Sequence, residues 1–277
     1  MLPTTKFDRT FASKLRQQLE SEPLIQQLAT TTLFQGVSPA ELPLIMLEEI
    51  YAKADVMKLA KRATLKLAGH DFLYEILSGY VKIYDRPRLP AETMGKSLRN
   101  PPALLAWRIP GELLGDFKFS LPTENLTDHV VATDICYLLR LPSSLVRNLS
   151  ESYPRIYYNI AANLASKAIK ARIRAQILSL PNIESRVAKL FTELINERSF
   201  DKEITDSQVI NGTFHLPDLA AFVGYKYKTT QQGVLALINS GFIDHYNNKK
   251  SGRFMIHDAE GLSQYIENNL PQMDDLK

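Results

Sequence analysis

One cysteine, Cys136, in 277 residues leaves no partner for an intramolecular disulfide. It also supplies too few thiolates for a CxxC redox pair or a cysteine-held iron–sulfur cluster. No apolar run reaches membrane-spanning length, and Met1-Leu2-Pro3-Thr4-Thr5-Lys6 lacks the apolar core of a secretory signal, so a cytoplasmic protein with no membrane partner is expected. The five histidines (His70, His129, His215, His245, His257) show neither HExxH nor i,i+4 pairing, which argues against a zinc enzyme. A haem sensor would need an axial ligand such as His70 or His129, although a hydrogen-bonded or surface role accounts for either. P-loop and Gly-x-Ser-x-Gly patterns are missing, so no enzymatic activity is expected. Low-complexity tracts are absent too. What is present, 45% hydrophobic and 23% charged residues, is the composition of a globular chain long enough for two domains.

Net charge is only +3, and its distribution is more informative than its size. Residues 1–180 carry 23 Lys and Arg against 17 Asp and Glu, whereas 181–277 carry 10 against 13. Within that slightly acidic tail, residues 226–253 hold five bases (Lys226, Lys228, Lys249, Lys250, Arg253) against one acid, Asp244. Local clustering on a neutral background suits a nucleic-acid face, although a solvated charged surface would look the same.

Patterning divides the chain into regions. Phe7 to Leu33 has helical spacing broken at Pro23, and Ser38-Pro39-Ala40-Glu41 resembles a helix N-terminus. From about residue 50 to 140, short period-two segments alternate with turns: Leu65–Leu67, Phe72–Leu77, Tyr80–Tyr84, Leu104–Ile109, Val130–Thr133 and Cys136–Leu141. This spacing predicts an antiparallel barrel or sandwich. Residues 85–103 hold four prolines without periodicity and are expected to form a long exposed loop. Helix resumes at Pro142-Ser143-Ser144, with a long helix opening at Pro154. Along it Tyr157, Ala161, Leu164, Ala168, Ala171, Ala175 and Leu178 step by three and four, a seam of mostly small residues suited to close pairing of two helices. Packing on the helix's own domain is the alternative. Lys167, Lys170, Arg172 and Arg174 flank this seam and are expected to be solvated.

After Pro181, a helix from Ile183 to Arg198 places Val187, Leu190, Phe191 and Leu194 on one face. His215 to Gly224 then reads as a short glycine-terminated helix, and Tyr227 to Ser240 as a second. Gly241 stops the second helix. Phe242-Ile243, the turn Asn247–Gly252 and Arg253–Ile256 complete a hairpin. Helix, turn, helix and hairpin form the layout of a winged helix-turn-helix. A helix fits the major groove, and a basic hairpin tip reaches neighbouring phosphates. Gly233 within the second helix costs about 1 kcal/mol against alanine and has no rationale in the sequence.

The ordered set resembles the CRP/FNR superfamily over nearly the whole chain. Leu33-Phe34-Gln35-Gly36-Val37-Ser38 is similar to its opening motif, and Leu73 to Tyr84 to its central strands. Pro110-Gly111-Glu112-Leu113-Leu114-Gly115-Asp116 is similar to its phosphate-loop region, and Leu216-Pro217-Asp218-Leu219-Ala220 with Gly224 to its first DNA-domain helix. The resemblance implies an α+β architecture. An N-terminal antiparallel jelly-roll or barrel of the cyclic-nucleotide-binding type precedes a long dimerisation helix and a C-terminal winged helix-turn-helix. The corresponding boundaries are an N-terminal extension (1–32), a sensing domain (33–141), a dimerisation helix (142–180) and a DNA-binding domain (181–277).

By the same resemblance the chain is expected to be a homodimeric transcription regulator on a palindromic double-stranded operator. RNA polymerase and a small-molecule effector are implied as further partners. Base reading falls to Tyr227, Lys228, Thr229, Gln231 and Gln232, and phosphate contacts to Lys226, Lys249, Lys250 and Arg253. The dimer seam is Ala161, Leu164, Ala168, Ala171, Ala175 and Leu178. The effector pocket maps to Gly115, Asp116, Leu126, Thr127 and Arg172. Here the pattern departs from cyclic-AMP-binding relatives, which have Arg-Ser where Leu126 and Thr127 stand and Glu where Asp116 stands. Without that arginine a bound phosphate loses a charge-assisted bidentate contact, so cyclic AMP is not expected to be the effector. Relatives often carry Arg-Glu-x-x-x-Arg in the recognition helix, where Tyr227, Lys228 and Gln232 stand. A different operator follows, or a degenerate module that senses ligand or protein without reading DNA.

Overall fold

The computed structural model describes residue 18 and residues 22–67, 71–85, 103–119, 129–196, 208–210, 214–246 and 252–269. Outside them lie most of the expected first helix, the loop after Asp85, His70, Leu126, Thr127, Lys249 and Lys250. The architecture is α+β, with antiparallel sheets. By packing, the chain divides into two compact units. One comprises residues up to Arg86 together with Trp107–Lys167, the other Pro87–Ala106 together with Ala168–Lys277.

The first unit begins with α1 (Pro23–Leu28), which Pro23 opens from its first turn, where a missing N–H costs nothing. Ser38 and Glu41 do exchange side-chain contacts with the backbone, but they close a single 3-10 turn, Pro39–Glu41; the next helix, α2 (Leu44–Lys53), starts after Pro43. Two four-stranded sheets follow. The first runs in the order β1 (Asp55–Leu59), β8 (Cys136–Pro142), β3 (Phe72–Ser78), β6 (Leu113–Leu114). The second runs β2 (Thr64–Lys66), β7 (His129–Ala132), β4 (Val81–Tyr84), β5 (Leu104–Arg108). Gly79, at φ +82°, makes the tight turn between β3 and β4. A side chain there would strike the Cys136 sulfur and the Ile135 carbonyl at 2.6 Å.

Strand β3 is buried at Leu73, Tyr74, Glu75 and Ile76 alike, because its sheet is covered on both faces. Leu73, Leu139 and Leu141 join a core with Ile25, Leu28, Leu33, Phe34, Leu47 and Ile50. Helices α3 (Ser143–Ser152) and α4 (Pro154–Ser179) complete it with Leu145, Val146, Leu149, Ile156 and Ile160. Register is pinned where Asp55 opposes Arg140 across β1 and β8. The guanidinium donates Nε and Nη2 to the two carboxylate oxygens at 2.8 and 2.9 Å. Such forks are directional as well as attractive.

The second unit is built around α5 (Ile183–Asn196), whose Val187, Leu190, Phe191 and Leu194 are all buried, as their spacing predicts. Against it pack α6 (Leu216–Val223), α7 (Tyr227–Asn239) and α8 (Ala259–Asn268), with a small sheet ordered β10 (Ile243–His245), β11 (Phe254–Ile256), β9 (Gln208–Val209). Phe191 meets Phe254 with ring centres 4.9 Å apart, tying α5 to the hairpin. Gly233 has its explanation here. A Cβ at that position would lie 2.9 Å from Cγ1 of Ile183, so glycine lets α7 seat closely on α5.

Candidate nucleic-acid interface and sensor site

Helix α6 ends at Gly224 in the left-handed region (φ +76°), whose N–H donates to the Ala220 carbonyl. Only glycine adopts that conformation without strain, and an added Cβ would also approach a methyl of Leu178 at 3.2 Å. The chain leaves the cap, passes Tyr225 and enters α7 with Lys226 as N-cap. Thr230, Gly233, Val234 and Leu237 are buried, and the Thr230 hydroxyl donates to the Lys226 carbonyl. That inward face leaves Tyr227, Lys228, Gln231 and Gln232 exposed and Thr229 half-buried, so the residues expected to read bases share the outer side of one helix. Tyr227 is 48% exposed.

Beside this helix the β10–β11 hairpin pairs Ile243 with Ile256 and His245 with Phe254. Arg253 lies at the end of the hairpin nearest the connecting residues 247–251, where its carbonyl accepts the Tyr246 N–H at 3.0 Å and its guanidinium is 4.9 Å from the Tyr246 ring centre. Lys226 is exposed at the start of α7. Between helix and hairpin runs a groove of about 350 Å³, lined among others by His215, Tyr227, Gln231, Leu235 and His245. The sequence missed β9, which closes the outer edge of β11 through Ile210 N–H to the Phe254 carbonyl at 2.9 Å.

In the first unit, Gly111 (φ +85°) and Gly115 (φ +80°) bracket Glu112, Leu113 and Leu114. A Cβ at Gly115 would press the Phe72 carbonyl at 2.9 Å. Asp116 is almost wholly buried (2% exposed), but it faces α4: Lys167 Nζ donates to its Oδ2 at 2.6 Å and to the Leu113 carbonyl. One turn earlier on α4, Asn163 accepts from Leu113 N–H and donates to the Gly111 carbonyl. Burial lowers the Lys167 ammonium from its ordinary value, and Asp116 opposes that shift. Lys167 is therefore not the solvated flank its position suggests. Nor is Arg174, whose Nη1 donates to the Leu105 carbonyl and whose guanidinium covers the Phe222 ring. Both find buried partners far away in sequence. Arg172, also assigned to the pocket, is exposed.

Along α4 the seam residues Ala161, Ala168, Ala171, Ala175 and Leu178 are exposed. Leu164 is half-buried and packs on the core of the first unit. Tyr157, which shares the seam's spacing, is 59% exposed, and elsewhere on α4 Tyr158 and Ile169 are 60% and 52% exposed. Among the described residues, no cluster of three metal-ligating side chains occurs, and no helix is long and apolar enough to cross a membrane.

No protein-family model matches the chain, and no curated protein does. Solved structures do match it in fold. A CooA variant from Carboxydothermus hydrogenoformans superposes with a TM-score of 0.61 at 13% identity, over 82% of this chain and 91% of that one. A CRP/FNR-family transcriptional regulator from Thermus thermophilus gives 0.57 at 19% identity, over 78% and 100%. A cyclic nucleotide-binding domain-containing protein from Listeria monocytogenes gives 0.60 at 14% identity, over 77% and 94%. The chain has a CRP/FNR-like fold.

Proposed function

We propose that this protein is a homodimeric, sequence-specific DNA-binding transcription regulator whose N-terminal sheets respond to a small molecule other than cyclic AMP. The observation that carries the reading is the two-sidedness of α7: Thr230, Gly233, Val234 and Leu237 are packed inward, and Tyr227, Lys228, Gln231 and Gln232 are presented outward beside a hairpin. A helix so exposed fits the major groove, where lysine contacts guanine and glutamine pairs with adenine. Lys226, Lys249, Lys250 and Arg253 supply phosphate contacts. In this scheme residues 1–32 are an extension, 33–141 sense, 142–180 pair two copies, and 181–277 bind DNA.

The effector assignment follows from charge. Asp116 is committed to Lys167, and Leu126 and Thr127 offer no cation where a cyclic phosphate would need one.

Selecting duplexes from a randomised library with the full chain tests the reading. A palindrome with half-sites roughly 34–36 Å apart is expected. K249A/K250A is expected to weaken all duplexes comparably and flatten the salt dependence, because lysine–phosphate contacts release counterions whatever the sequence. K228A and Q232A are expected to relax preference, each at a cost of about 1–3 kcal/mol on the selected site only. Equal losses on every duplex for both sets of variants would contradict the assignment.

A further inference from the structure

The last turn of α6 is gripped by two arginines that reach it from other helices. Arg186, on α5, donates Nε to the Leu180 carbonyl at 2.8 Å and Nη1 to the Val223 carbonyl at 2.9 Å. Its guanidinium also lies 4.6 Å from the centre of the Tyr225 ring. The Tyr225 hydroxyl returns a hydrogen bond to the Pro181 carbonyl at 3.2 Å. Arg174, on α4, holds its guanidinium 4.8 Å over the Phe222 ring and donates Nη1 to the Leu105 carbonyl at 2.9 Å. Phe222, Val223 and Tyr225 are thus held in succession around Gly224, the residue that turns the chain into α7. An ammonium could not substitute for Arg186, because two carbonyls and a ring face are met at once by a planar fork.

We propose that Arg186 and Arg174 are positioning residues for α7: sequence discrimination depends on this double guanidinium clamp, anchored to the α4–α5 junction at Leu180–Pro181 and to β5 at Leu105. The proposal rests on the DNA-reading role of α7. Base-edge hydrogen bonds are directional, whereas flexible lysines follow a phosphate through small displacements. Loosening the turn therefore removes discrimination before it removes general affinity.

The test uses the full chain, the duplex it enriches from a randomised library, and a scrambled duplex of equal length, with anisotropy measured across a salt series. R186K keeps the charge and loses the fork. It is expected to bind the enriched duplex about tenfold more weakly, to bind the scrambled duplex within about twofold of the wild type, and to keep the salt slope. A merely structural role would lower both affinities by the unfolded fraction and leave their ratio unchanged. R174M, which leaves every Arg186 contact in place, is expected to show the same selective loss and decides the matter if R186K does not fold. Amide exchange at residues 222–228 is expected to accelerate in both variants relative to α8. If the wild type discriminates and both variants discriminate equally well, the clamp is overturned and the DNA-binding function stands. If the wild type enriches no duplex, the DNA-binding function itself falls, and the positioning role falls with it.

Discussion

Glu75 shows how one side chain can tune the stability of the first unit. It is 2% exposed in β3, and its carboxylate accepts the backbone N–H groups of Thr32 at 2.5 Å and Leu33 at 3.0 Å. Burial outweighs those two bonds and pushes its pKa from 4.5 up to about 7. Between those limits the folded chain holds a proton that the unfolded chain has released, so stability falls as pH rises through that window. The loss amounts to about 3.5 kcal/mol at most, because each tenfold change in proton affinity is worth about 1.4 kcal/mol. Unfolding midpoints measured from pH 4.5 to 7 are expected to decline in the wild type and to flatten in E75Q, which cannot ionise; parallel curves would refute the assignment. Gly233 makes a related point about legibility. Its helix-weakening cost is plain in the sequence, but the Ile183 side chain that justifies it is fifty residues away and becomes visible only once α5 and α7 are packed.

Elements with their own periodicity were legible. Six strands between Leu65 and Leu141 (all but the two-residue β6), the helix from Ile183 and the two helices flanking Gly224 lie where alternation, glycine and proline placed them. Elements made by tertiary pairing were not. Strand β9 is two residues long and exists through β11, and α2, β1 and α8 carry weak patterns of their own. The charged flanks of α4 misled for the same reason. Helical spacing puts Lys167 and Arg174 beside an exposed seam, but Asp116 and Leu105 arrive from more than fifty residues upstream. The Lys167–Asp116 pair is buried at both ends, with side chains 14% and 3% exposed. K167M would leave the Asp116 carboxylate uncompensated and is expected to destabilise the chain by about 3–5 kcal/mol, read from urea midpoints. Most of that loss is expected to return in K167M/D116N. A loss in K167M smaller than that of an exposed ion pair would show that the pair does not tie α4 to this segment.

For the whole molecule, the outer surface of α4 is the feature to explain. Tyr157, Tyr158 and Ile169 stand more than half exposed among alanines. Covering that surface with a second copy would bury it, and small side chains allow close approach of two helices. I169E is expected to halve the mass measured in solution and to remove cooperative binding to a two-half-site duplex. A mass unchanged from that of the wild type would count against this surface as the contact of the proposed dimer. The lone cysteine bears on how such experiments can be run. Cys136 is fully buried, its thiol donates toward the Tyr80 carbonyl, and burial pushes its pKa up. The native chain is thus nearly inert to thiol-directed dyes and spin labels. A cysteine engineered at the exposed positions 165 or 232 would be the sole reactive handle, ready for distance measurements between copies without first stripping the protein of its own sulfur chemistry.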